Sequence, residues 1–239
     1  MINKLPFDYT IRRSARATKV RIIVTANKIE VVAPVNATEK QLHQFVVAQQ
    51  QWIMSTVAKV IKRQLPPVNP ISYSAGSSIV YQGKSYLLKL RATASTHINI
   101  EFANVFFVAF VPHHLMTINH SEAIKLALID WMKKQLLRQV THWVKFHAHK
   151  HQLFPRAINI KDLKSRWGSC GINNDIQINT LLIMAPPSVL EYVVVHELCH
   201  IQIRNHSPQF WELVAEHLPD YQQPHRWLKQ HGNRLMQGF

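Results

Sequence analysis

Cysteine is nearly absent from this chain of 239 residues. Two thiols, Cys170 and Cys199, cannot frame a disulfide-rich fold and make no zinc-finger pattern by themselves. Glycine is scarce too, with 6 residues, which excludes a collagen-like chain. Charged residues are only 17%, too few for a coiled coil. No run of 18 uncharged apolar residues occurs, so no membrane span is expected. No apolar signal core follows Arg12, Arg13 and Arg16, and the chain reads as a soluble cytoplasmic protein. The scarcest feature is negative charge: 13 Asp and Glu stand against 28 Lys and Arg, a net +15. That excess points to a polyanionic partner or substrate, or to a basic surface without one.

Hydrophobic residues make up 47%, enough for a packed core. Their pattern predicts strands over 19–24 and 28–33, then a helix opened by a Thr38–Gln41 capping box and running to about Gln64. The proline-rich stretch 66–70 reads as a linker. Strands follow over 78–81, 85–90, 97–102 and 105–111. A long amphipathic helix is expected over 121–149, with Ile124, Leu128, Trp131, Leu136, Val140, Trp143 and Val144 on its apolar face. Short strands near 158–160 and 176–179 flank the turn-rich segment 165–171. The fold class is α+β, divided into a β-rich region with one long helix, 1–116, and a second region, 117–239.

The chemistry is concentrated near the carboxyl end. A second capping box, Ser188–Glu191, opens a helix that contains His196-Glu197-Leu198-Cys199-His200. Four residues on a helix amount to about 40° of rotation and about 6 Å of rise, so both imidazoles point to one side. Two neutral imidazoles so placed can grip one zinc ion, while Glu197 beside them is positioned to hold a water on the metal. A catalytic zinc needs a third protein ligand and an open position. His206 is the first candidate, because Asn205 can end the helix in a left-handed turn and Ser207-Pro208 starts the next one. Glu212 and Glu216 are the alternatives.

The segment His196–His200, followed by Asn205-His206-Ser207-Pro208-Gln209-Phe210-Trp211, resembles the YgjP-type metal-dependent hydrolases. These are zincin-like proteins related to the SprT and Wss1 metalloproteases. Arg166-Trp167-Gly168-Ser169-Cys170 and Leu218-Pro219-Asp220-Tyr221 extend the resemblance, and Ile11-Arg12-Arg13-Ser14 and 81–86 carry it more loosely into the first half. The resemblance implies a zincin-like half in which the 121–149 helix backs the HExxH helix. It implies one zinc, or another divalent metal, per chain. His196, His200 and His206 would be its ligands, and Glu197 the general base and then acid toward a metal-held water. Cys199 stands where the family usually has a small residue, and packing is its expected role.

The function expected is a zinc-dependent hydrolase, foremost a metallopeptidase acting on peptide or protein. One alternative is a metal-dependent nucleoside triphosphate pyrophosphohydrolase, and another is a nucleic-acid-binding module with structural zinc. Nonspecific nucleic-acid contact through the basic surface is expected of any of them. Arg166, Trp167, Tyr192, Tyr221 and Arg226 are candidates to contact substrate or to stabilise a developing oxyanion. The alternative for 166–170 is a purely structural hairpin. His147 and His151 repeat the four-residue spacing with no glutamate between them, and read as part of a solvated basic helix face.

Overall fold

A computed structural model describes residues 5–25, 28–62, 72–115 and 120–238, so the 66–70 linker lies outside the described residues. The chain divides into two compact units, Met1–Pro70 and Ile71–Phe239.

In the first unit, β3 (Ile29–Ala33) is the centre of a three-stranded sheet. It pairs in parallel with β1 (Thr10–Arg13) and antiparallel with β2 (Arg21–Val24). The pattern of β1 is wholly exposed, and an exposed edge strand leaves no hydrophobic alternation to read. The Thr38 capping box is present and opens α1 (Glu39–Ala48). The single helix expected to about Gln64 is instead broken at Gln49, whose N–H donates to the carbonyls of Phe45 and Val46, both at 3.1 Å, before α2 (Gln50–Lys62) begins. Ile29, Val31, Ala33, Leu42, Val46 and Ile53 form this unit's own core.

The second unit opens with a four-stranded sheet of β4 (Ser78–Tyr81), β5 (Lys84–Thr93), β6 (Asn99–Phe102) and β7 (Phe106–Pro112), in the order β4-β5-β7-β6. β5 and β7 run parallel, and β6 pairs antiparallel with β7. One face carries Tyr81, Tyr86, Phe102 and Phe107, which close on Trp131 of α3 (Ser121–Ala148), with Phe107 and Trp131 edge-on at 5.2 Å. Ile124, Leu128, Met132, Leu136, Val140 and Val144 form the buried row of α3, one residue every four. Each such side chain contributes about 1.5–3 kcal/mol by burial, and Leu136→Ala would cost about 2–5 kcal/mol. The division expected at 116/117 therefore falls between a sheet and the helix that covers it. The compact unit begins at 71 because these strands bury their aromatic face on α3.

A second sheet follows, made of β8 (Ala157–Lys161), β9 (Gly168–Cys170) and β10 (Asp175–Asn179), with β10 central. A 3₁₀ turn, Thr180–Met184, leads into α4 (Pro187–Gln202), then α5 (Pro208–His217) and α6 (Gln222–Leu235). α4 is packed by α3, α5, α6, β9 and β10, which explains its nearly unbroken buried run from Val189 to Val195 apart from Glu191. It starts at Pro187 with Pro186 as N-cap and no side-chain cap, so Ser188 does not cap it. Its entry is fixed from the first sheet: Gln82 and Gly83 donate to the carbonyls of Ile183 and Met184 at 2.9 Å each. Gly83, at φ +77, leaves no room for a side chain, since a Cβ would lie 2.9 Å from the Pro186 ring. No helix among the described residues is long and apolar enough to cross a membrane.

Candidate metal centre

α4 presents His196 and His200 to one side, and the chain turns at once to bring His206 to them. The helix ends with Ile203 as C-cap, whose N–H donates to the Cys199 carbonyl at 2.9 Å. Asn205 is not in the left-handed region among the described residues. It shapes the turn through its side chain, whose Oδ1 accepts from the Ser207 N–H at 3.2 Å. Ser207 is the N-cap of α5 by position, with Pro208 in the first turn, but its hydroxyl makes no cap bond.

The three imidazoles converge through the same atom. His196 Nε2 lies 3.2 Å from His200 Nε2 and 3.1 Å from His206 Nε2, and the donor atoms of all three lie within 4.8 Å of one another. Four ligands around zinc at about 2.0–2.1 Å place neighbouring nitrogens about 3.3–3.4 Å apart, so these residues fit such an ion. The tautomer fits as well. His200 Nδ1 donates to the Ile203 carbonyl at 2.9 Å, which leaves Nε2 as a lone pair. Burial, then the neighbouring imidazoles, hold His196 down to about 3, and burial also lowers His200. Both are neutral, as ligands must be, at physiological pH. The buried Nδ1 of His196 has no hydrogen-bond partner. Phe210 of α5, fully buried, floors the cluster with ring centroids 4.9, 4.4 and 5.0 Å from His196, His200 and His206.

Glu197 lies in the same cleft as His196, a space of about 360 Å³. It is 5% exposed, and burial pushes its carboxyl up to about 8, against a weaker opposing pull from Arg166. Gly168 at the start of β9 makes room for it: a Cβ there would stand 2.6 Å from Glu197 Oε1. This close approach is a structural reason for the glycine in Arg166-Trp167-Gly168, and it answers to the carboxylate rather than to a turn. Arg166, Trp167 and Tyr192 do line the cleft, together with His225 and Lys229 of α6. Tyr192 is buried, and burial raises its hydroxyl above the usual phenol range. Tyr221 and Arg226 do not line it. Tyr221 stacks on Trp211 at 5.4 Å and faces a neighbouring cavity. Glu212 and Glu216 are outside the histidine group, and Glu216 instead faces His151 at 2.9 Å. Cys199 is wholly buried and its thiol is pushed up to about 12 by burial, as inert packing requires.

Four supporting residues were not legible as such in the sequence. Asn179, fully buried, donates to the carbonyls of Leu163 and Arg166 at 2.8 and 2.9 Å and accepts from the Leu181 N–H at 3.1 Å. It fixes the segment that carries Arg166. Arg204 donates to the Gly171 carbonyl at 2.8 Å and to Asn174 Oδ1, tying the β9–β10 turn to the end of α4. His225 and Lys229 gave no signal, because only the packing of α6 brings them to the cleft.

Three convergent imidazoles on a buried helix and the turn after it form a group that could hold a metal ion, close to the cleft that contains Glu197. The family of YgjP-like metallopeptidase domains matches residues 18–231, and the chain belongs to that family. It is thereby a metal-dependent hydrolase with a mixed α and β fold. A comparison with curated proteins finds no match.

Proposed function

We propose that the chain is a zinc-dependent metallopeptidase of the zincin-like kind, with His196, His200 and His206 as ligands and Glu197 as general base and then acid. The observation that carries this reading is the convergence of the His200 and His206 Nε2 atoms on that of His196, which lines the same cleft as the Glu197 carboxylate. A zinc ion held there would supply a Lewis acid for a carbonyl and bring the pKa of a coordinated water to about 7. Glu197 takes the proton of the attacking water on a carboxylate oxygen and returns it to the leaving amine. Burial suits it to both steps, since a carboxyl shifted toward neutrality both holds and releases a proton. Gly168 keeps that carboxylate from being displaced, and the Tyr192 hydroxyl and Arg166 are the groups placed to donate to a developing oxyanion.

A second reading, nucleoside triphosphate pyrophosphohydrolysis, draws on Arg166, His225 and Lys229, three basic side chains around one cleft whose only acid is Glu197. A structural zinc in a nucleic-acid-binding module leaves the buried Glu197 without a role. One pool of unstructured peptides and nucleoside triphosphates, incubated with zinc-loaded wild type and with Glu197→Gln and analysed by mass spectrometry, separates them. Peptide products from wild type alone are expected. Pyrophosphate or monophosphate release would replace the peptidase reading with the second, and equal products from both proteins would end both.

A further inference from the structure

The positive charge is not shared evenly between the two units. Met1–Pro70 holds 11 Lys and Arg against 3 Asp and Glu, a net +8, whereas Ile71–Phe239 holds 17 against 10, a net +7 in more than twice the length. Within the first unit part of that charge is already engaged. Glu30 accepts from Arg12 at 3.1 Å and from Lys28 at 2.9 Å, and these two cations hold its carboxyl below the usual range. Arg13 turns back and donates to the carbonyls that follow β3, Val35 among them at 3.0 Å.

Three cations remain on the segment from β1 to β2. Arg16, Lys19 and Arg21 are exposed and form no ion pair among the described residues. With Ser14, Ala17 and Thr18 they line a hollow of about 210 Å³ that no acidic residue enters. The hydroxyls of Ser14 and Thr18 carry no hydrogen bond among the described residues. The loop is not loose at its start: Ser14 N–H donates to the Ala33 carbonyl at 2.9 Å and Ala17 N–H to the Ser14 carbonyl at 3.1 Å. Cations, free hydroxyls and small residues on a fixed loop are the donors that grip phosphate oxygens.

We propose that Arg16, Lys19 and Arg21, with Ser14 and Thr18, form a site for the phosphodiester backbone of nucleic acid, separate from the metal centre and independent of what that centre hydrolyses. The hollow is open and its charges stand in solvent, which suits successive phosphates of a polymer better than one enclosed oxyanion. Binding of this kind draws its free energy from counterion release and is sequence-independent, with dissociation constants of about 10⁻⁴–10⁻⁶ M at physiological salt.

The test uses the full chain, a fluorescent single-stranded oligonucleotide and anisotropy over a range of salt concentrations. Arg16→Ala/Lys19→Ala/Arg21→Ala is compared with Lys133→Ala/Lys134→Ala/Arg138→Ala, which removes the same formal charge from α3. The first variant is expected to bind about 100-fold more weakly at low salt and to lower the slope of log K against log salt by about 2. The second stays within about twofold of wild type. Equal losses in the two variants, an unchanged slope, or no binding by wild type at low salt would overturn the proposal. So would displacement by millimolar inorganic phosphate beyond that caused by chloride at equal ionic strength, which would mark a site for a single oxyanion. Unchanged circular dichroism and metal content in the first variant assign its loss to the removed charges.

Discussion

Two groups of three histidines lie in the same unit, and they do opposite things with the same side chain. His196, His200 and His206 turn their Nε2 atoms toward one another at 3.1–3.2 Å with no carboxylate among them. His147, His151 and His217 pack ring against ring, with centroids 5.5 Å apart for His147–His217 and 4.8 Å for His151–His217. Here two of the three face acids, His147 Nε2 toward Glu191 at 3.0 Å and His151 Nε2 toward Glu216 at 2.9 Å, while His217 faces neither. Each pair starts from the same four-residue spacing. α3 ends at Ala148, however, so His151 lies past the helix and never shares a face with His147. His147 is 3% exposed, so the solvated face expected for it is in fact buried, where it joins α3 to α4. Spacing makes a metal pair only where the helix continues through it. Three imidazole lone pairs that converge without an acid suit a cation, whereas a ring N–H that donates to a carboxylate is already satisfied.

The largest expected effect tests that contrast directly. His196→Ala lowers metal content from about one ion per chain to near zero and hydrolysis by at least about 10³-fold, because a site with two ligands does not hold a catalytic zinc. His147→Ala destabilises the fold by about 2–4 kcal/mol through a lost buried hydrogen bond and lost packing, and leaves metal content at one. Metal analysis of the two purified variants, with a thermal melt of each before and after chelation, is the measurement. Metal loss from the folded His147 variant would break the comparison.

A smaller effect sharpens what the metal cluster needs beyond its ligands. Gly168→Ala inserts a methyl group 2.6 Å from Glu197 Oε1, a contact that real Cβ atoms do not make. The carboxylate or the edge strand β9 must shift. The expected loss is about 10–100-fold in kcat with metal content unchanged, less than the roughly 10²–10⁴-fold that complete loss of a general base costs. A kcat equal to that of wild type, measured on whichever substrate the mixed pool identifies, would mean that Glu197 tolerates displacement.

The histidine cluster was more legible in the sequence than the fold around it. The helix with His196 and His200 has a buried apolar run and a definite start, and these are local signals. Placing His206 required only a helix end and a turn of a few residues, even though Asn205 makes that turn by its side chain rather than by a left-handed backbone. The compact units divide at 70/71 and not at 116/117, since the aromatic face of β4–β7 gives no sign in the sequence of which helix will cover it. Asn179, Arg204 and His225 were missed, and so was the Glu197 contact that requires Gly168, for one reason. Their roles are contacts across 13 or more residues of chain, and no periodicity records them.

The smallest effect concerns His217, whose two ring nitrogens are buried without partners. Burial, then the charges that His147, His151 and Lys150 can carry, hold it down to about 4, against 6.5 in an open chain. The carboxylates of Glu191 and Glu216 are engaged by His147 and His151 and do not offset this. Because the folded value is the lower one, the unfolded chain binds the proton first as pH falls. The stability associated with neutral His217 is complete above about 6.5 and is lost progressively as pH falls through about 4. Part of the effect is screened by nearby solvent, so the midpoint of thermal unfolding should fall by only about 2–6 °C between pH 7 and pH 5 on this account. Release of a bound metal as pH falls would add its own decline, and His217→Leu separates the two. Its melting curve should lose this part of the decline and keep the part that accompanies metal release. An identical decline in both proteins would mean that His217 gains a proton as readily folded as unfolded, and the packed cluster would then resist charge no more than an open surface does.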